Sequence, residues 1–132
     1  MRVGPFTTQQ DILTVGPELN LTEAARLMRD RRTGSAVVAA AGKKPAIITE
    51  RDLLRAIADG VDLTSTQVSA YMTADAVTIT ADWHVVDVAR TMIERGFRHV
   101  IVVDAAGQVV GILSIRDIVR ALLEDRQRTL AG

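Results

Sequence analysis

GKKPAIITERDLLRAI (residues 42–57) and GQVVGILSIRDIVRAL (residues 107–122) align at an offset of 65, with Gly, Ile, Arg, Asp, Arg and Ala identical. The match extends upstream at an offset of 64. Asp11, Thr14, Ala25, Arg26, Met28 and Arg31 recur as Asp75, Thr78, Ala89, Arg90, Met92 and Arg95. Solenoid repeats have periods of about 20–50 residues, so this spacing reads as one small domain present twice. A site built in one half should therefore recur in the other.

Each half reads strand, helix, strand, strand, helix. In the first, ILTV (12–15) is β-branched and stops at Gly16-Pro17, which marks a short strand. Asn20 with Glu23 has the form of a capping box, and Leu21, Ala24, Ala25, Leu27 and Met28 fall at helical spacing to about Arg32. SAVVAA (35–40) and AIIT (46–49) are strands around a turn, followed by a helix from Glu50 that stops at Gly60. The second half repeats the order with VTI (77–79), a helix over 85–95 ending at Gly96, strands over 99–104 and 108–114, and a helix over 115–125. The expected division is a first motif over 1–60, a polar linker over 61–74, a second motif over 75–125 and a frayed tail over 126–132. Helix 85–95 carries Val85, Val86, Val88, Ala89, Met92 and Ile93, wider than one stripe, so it should pack on two sides.

Bulk composition narrows the function. A chain of 132 residues buries roughly 68% of its unfolded surface, enough for a core, whereas either half alone would be marginal. Sixteen basic residues balance sixteen acidic ones, unlike the basic patch of a nucleic-acid binder. Phe6, Tyr71, Trp83 and Phe97 are the only aromatics, too few for a base-stacking platform. Without cysteine there is no disulfide, thiolate catalyst or cysteine zinc site. The chain shows neither a signal segment nor an apolar run of the ~18 residues a membrane helix needs. The expectation is a cytoplasmic protein that touches neither membrane nor nucleic acid.

The chemistry, if any, lies at the turn into the last helix of each half: Thr49-Glu50-Arg51-Asp52 and Ser114-Ile115-Arg116-Asp117. Two readings stand side by side. S/T-x-x-D is a capping box, in which the hydroxyl and the carboxylate satisfy helix N–H groups, for about 1 kcal/mol. It is also a ligand cradle: a helix N-terminus favours phosphate, and a nearby carboxylate suits a ribose diol. An Arg before the Asp in both copies, which capping does not need, and the apolar strands before the turn speak for the cradle. No G-x-x-x-x-G-K, G-x-G-x-x-G or Ser/His/Asp order is present, so no catalytic residue and no enzyme is expected. Two histidines and scattered carboxylates give no metal-ligand spacing.

These stretches, with LTEAARLM (21–28) and GFRHVIVVDAAGQVVGILSIRDIV (96–119), resemble a tandem pair of CBS domains, the Bateman module, from about Asp11 to Leu123. The resemblance implies an α/β (α+β) fold of two β-α-β-β-α units packed about a pseudo-twofold axis, with two clefts between the halves. It implies a regulatory sensor that binds an adenosyl ligand there: AMP, ADP, ATP, S-adenosylmethionine or NAD, with no required cofactor. By match of motif, Asp52 and Asp117 would hold ribose hydroxyls, and Thr49 and Ser114 would face phosphate or ribose. Arg51 and Arg116 would meet phosphate, and Ile47 and Ile112 would line the adenine pocket. The first strands, around Val15 and Ile79, would supply backbone contacts. The resemblance further implies a homodimer formed through helices and an effector protein as the output. A ligand-free structural or dimerisation module remains the alternative.

The halves differ. Arg98-His99 precedes a strand in the second half where the first has Gly34-Ser35. Unequal sites are expected, the stronger one built on Asp117, Ser114, Arg116, Arg98 and His99, with Thr7 and Thr8 closing it. His99 is either a strand residue or a phosphate contact, His84 is a helix-start residue, and Trp83 is expected to pack in the core, with a lid over a cleft as the alternative.

Overall fold

The computed structural model describes residues 1–7 and 11–131. It divides into two units, Asp11–Ala76 and Met1–Gln10 with Val77–Gly132. The first unit holds β1 (Thr14–Val15), α1 (Leu21–Arg31), β2 (Ser35–Val38), β3 (Ala46–Thr49) and α2 (Glu50–Ala58). The second holds β4 (Thr78–Ile79), α3 (Val85–Arg95), β5 (His99–Val103), β6 (Val109–Ser114) and α4 (Ile115–Ala131). This is the expected β-α-β-β-α order twice, a mixed α+β fold. The segment expected to fray after residue 126 continues α4 instead.

Each unit has one three-stranded sheet. β1 runs parallel to β2, which pairs antiparallel with β3; β4, β5 and β6 repeat this. Alternation splits each sheet into two faces. Ala36, Val38, Ala46 and Ile48 pack with Leu21, Ala24, Met28 and Ala56 as the first core. Val100, Val102 and Leu113 pack with Val85, Val88, Met92, Ile118 and Ala121 as the second. The partners Val37 and Ile47, and Ile101 and Ile112, occupy the other face of their sheets. Between Val102 and Val103 the register shifts, so that Val103 pairs with Val109 and Val110 bulges out.

Helix ends follow the sequence. The Asn20 side chain accepts from the Glu23 N–H at 2.9 Å and caps α1. α3 ends at Gly96 with φ 74°. α1 ends at Arg32, which takes the same left-handed conformation at φ 54° without glycine's freedom.

Segments outside the repeats complete both units. Residues 61–74, read from sequence as a linker, fold into the first unit: Val68 is fully buried, and its N–H donates to Leu19 O at 2.8 Å while the Leu21 N–H donates to Thr66 O at 3.0 Å. Residues 1–7 do the same in the second unit. Val3 is fully buried, its N–H donates to Trp83 O at 2.9 Å, and the Val85 N–H donates to Met1 O at 2.9 Å. A short 3₁₀ turn marks each segment, Gly4–Phe6 and Val68–Ala70. In both units the strap supplies a carbonyl to the first N–H of a helix, α1 in the first unit and α3 in the second, a group with no partner inside that helix. Trp83 offers its carbonyl to the strap while the residue stays 37% exposed and is not part of the second core, whereas its counterpart Leu19, partly buried, packs against the first.

Candidate ligand site at the strand-to-helix turns

Both turns are complete capping boxes. Asp52 Oδ2 accepts from the Thr49 N–H at 2.9 Å and from Thr49 Oγ1 at 3.1 Å, and the Asp52 N–H donates to Thr49 Oγ1 at 3.3 Å. In the second unit the distances are 2.7 Å from the Ser114 N–H to Asp117 Oδ2, 3.0 Å from Ser114 Oγ to Asp117 Oδ2, and 3.3 Å from the Asp117 N–H to Ser114 Oγ. The structural role of S/T-x-x-D is therefore present in both copies. It uses only Oδ2 of each carboxylate. The two readings of the motif are thus compatible: one oxygen holds the cap and the other is left for a different partner.

What meets that second oxygen separates the turns. Asp52 is 5% exposed, and its Oδ1 lies 3.4 Å from the Arg55 guanidinium. Asp117 is half-buried, and no cation pairs with it among the described residues. Arg55 is held in turn by Tyr71. Its Nη2 donates to the Tyr71 carbonyl at 3.0 Å, and its guanidinium lies 5.5 Å from the ring centroid. The Tyr71 hydroxyl donates to Asp59 at 2.7 Å. This bond to a carboxylate, then desolvation, pushes the phenol pKa up from its ordinary value. The network lay outside the sequence reading. Arg55 at i+3 from Asp52 is a legible helix pair, whereas nothing local announces that Tyr71 returns to α2.

Around the second turn, the sheet assembles most of the residues singled out from sequence. His99 is paired with Ser114 across β5 and β6, and Ile112 with Ile101. The Ile115 N–H donates to the Arg98 carbonyl at 2.8 Å, which fixes Arg98 beside the start of α4. Arg98 and Arg116 are exposed and enter no ion pair among the described residues. Ile79 is in the core cluster of its unit, on β4 beside Val102. In the first unit, Thr49 pairs with Ser35, and Ile47 exchanges two backbone bonds with Thr73, at 3.1 and 2.8 Å. Val15 lies in the first core and Arg51 is exposed. Thr7 is buried, and its hydroxyl donates to Gly4 O at 2.7 Å. Thr8 lies outside the described residues. His84 stands at the start of α3, as expected, with no side-chain cap bond.

The described residues hold no cluster of three His, Asp or Glu side chains suited to a metal ion, and no helix long and apolar enough to cross a membrane.

The CBS domain pattern matches residues 3–59 and 68–124. The chain belongs to the CBS domain family. An uncharacterised protein of Acidianus ambivalens is 40% identical over 114 residues, which are 86% of this chain and 68% of that protein. The chain spans less than two thirds of the next curated relatives, 41% and 58% of two archaeal proteins. Among solved structures, a putative signal-transduction protein with CBS domains from Burkholderia ambifaria superposes with a TM-score of 0.86 at 25% identity, covering 95% of this chain and 96% of that one. A CBS domain protein from Pyrobaculum aerophilum complexed with AMP has a TM-score of 0.79 at 31% identity, covering 89% of both chains.

Proposed function

We propose that this CBS pair is a regulatory module that binds an adenosyl nucleotide at the Ser114–Asp117 turn and passes the bound state to an effector protein. The observation that carries the reading is the half-buried Asp117 carboxylate. Its Oδ2 holds the helix cap and its Oδ1 is uncommitted, as binding a ribose diol requires. The relative of known structure complexed with AMP supports the same class of ligand. Arg98 and Arg116, exposed beside a helix N-terminus, favour a phosphorylated ligand such as AMP, ADP or ATP over S-adenosylmethionine. Ile112 on the adjoining strand offers apolar surface to a base. Binding would act by linkage, since a ligand with higher affinity for one conformation shifts the population toward it.

The exposed apolar side chains of the second unit support a second role, self-association as a homodimer. Val86 and Ile93 on α3 and Val119 and Leu123 on α4 are all exposed, Ile93 at 78%. In a module whose turns serve only as caps, this surface would be the whole function.

Thermal unfolding in the presence of AMP, ADP, ATP, NAD and S-adenosylmethionine separates the two. A ligand at 100 times its Kd adds about 2.7 kcal/mol, a rise of several degrees for a chain of this size. A rise with at least one phosphorylated compound is expected. No rise with any of them at millimolar concentration would leave the dimerisation module as the function.

A further inference from the structure

The two turns carry the same motif, yet only one leaves its carboxylate open. We infer that Arg55 is a latch on the first turn, so that the chain takes a single adenosyl ligand, at Asp117; this inference rests on the binding reading above. Asp52 Oδ2 is taken by the cap and Oδ1 by the Arg55 guanidinium at 3.4 Å, in a side chain that is nearly inaccessible. A ribose diol approaching Asp52 would have to displace a charged partner from an already desolvated carboxylate, at a loss that neutral hydroxyl donors do not restore.

The repeat contains its own control. Arg120 stands at i+3 from Asp117, as Arg55 does from Asp52, but it is exposed and makes no ion pair with Asp117 among the described residues. The difference lies outside the helix. Tyr71 fixes Arg55 from two directions, with its ring and with its carbonyl. At the offset of 64 its counterpart is Thr7, which has no ring and whose hydroxyl turns to Gly4 O. Arg55 is thus a positioning residue that decides which of two similar turns is available.

Titration calorimetry with AMP tests this on the full chain. One AMP per chain is expected for the native protein and for Asp52→Asn, and binding about 10- to 30-fold weaker for Asp117→Asn. Arg55→Met, at a side chain more than half exposed, should raise the stoichiometry to two. Tyr71→Thr, which imports the second unit's residue, should do the same and serves if Arg55→Met does not fold. Two AMP bound by the native chain, or a stoichiometry of one in both latch variants, would overturn the latch. So would AMP binding that is weakened in Asp52→Asn but unchanged in Asp117→Asn, although the binding reading would survive. No AMP binding by any form would remove the binding reading and the latch with it.

Discussion

Asp117→Asn tests both roles of the motif in one substitution. In the native turn, Oδ2 accepts two bonds, at 2.7 Å from the Ser114 N–H and 3.0 Å from Ser114 Oγ. The asparagine carbonyl can still accept from that N–H, so the box weakens without vanishing. What disappears is the charge. Bonds to a charged acceptor are roughly twice as strong as neutral ones, and a first-turn carboxylate gains about 0.3–1 kcal/mol from the helix dipole. The sum is a stability loss of about 1 kcal/mol, or about 3–5 °C in Tm for a chain between the small and medium size classes. A ribose diol donating to Oδ1 would lose its charged acceptor too, which costs about 1.4–2 kcal/mol and weakens AMP about 10- to 30-fold. Thermal unfolding measures the first effect and calorimetry the second. Affinity within twofold of native would refute the assignment of Asp117 to the ligand. A stability loss beyond about 3 kcal/mol would show that the carboxylate does more in the fold than cap a helix.

Three further outcomes follow from the geometry. Arg32 occupies the left-handed C-cap of α1 that Gly96 fills on α3, so Arg32→Gly should stabilise the chain by up to about 1 kcal/mol, read from the urea midpoint. Asp62 and Asp82 have pKa values lowered below 3.8, chiefly by the hydroxyls of Thr64 and Thr80. Their contribution is present above that pH and is lost as pH falls through the lowered values, because the unfolded chain there binds more protons. Asp62→Asn with Asp82→Asn should therefore flatten the fall of Tm with acid below about pH 4. Ile93→Glu with Leu123→Glu, both at exposed positions, should leave the unfolding midpoint of the isolated chain within about 0.5 kcal/mol and convert a dimer to monomer in sedimentation. An unchanged sedimentation coefficient would place any self-association elsewhere.

The fold was legible because its two strongest signals are local and appear twice. Short, nearly continuous apolar runs marked β2, β3, β5 and β6, and Gly96 and Asn20 marked helix ends that the structure places within a residue. The straps were not legible. Residues 61–74 read as a polar linker, yet Val68 is fully buried and Val61, Leu63, Tyr71 and Met72 pack against the first core; nothing local tells Val3 that its partner is Trp83, 80 residues away. Of the site, the caps at Asp52 and Asp117 were readable as spacing, and the preference for the second turn rested on Arg98 and His99. The Arg55–Asp52 pair, on which the proposed latch rests, was not readable, because it depends on Tyr71 returning to α2 and so on tertiary contact. Trp83 misled because aromatic residues are usually well buried, whereas here the backbone of Trp83, rather than its ring, does the packing.

The most direct test of the central claim is the change in backbone amide shifts when AMP is added to the full-length chain. The account predicts saturable shifts concentrated at Arg98–His99 and Ser114–Asp117, with Thr49–Asp52 far less affected. Shifts confined to α3 and the exposed face of α4, or none at millimolar AMP, would contradict it.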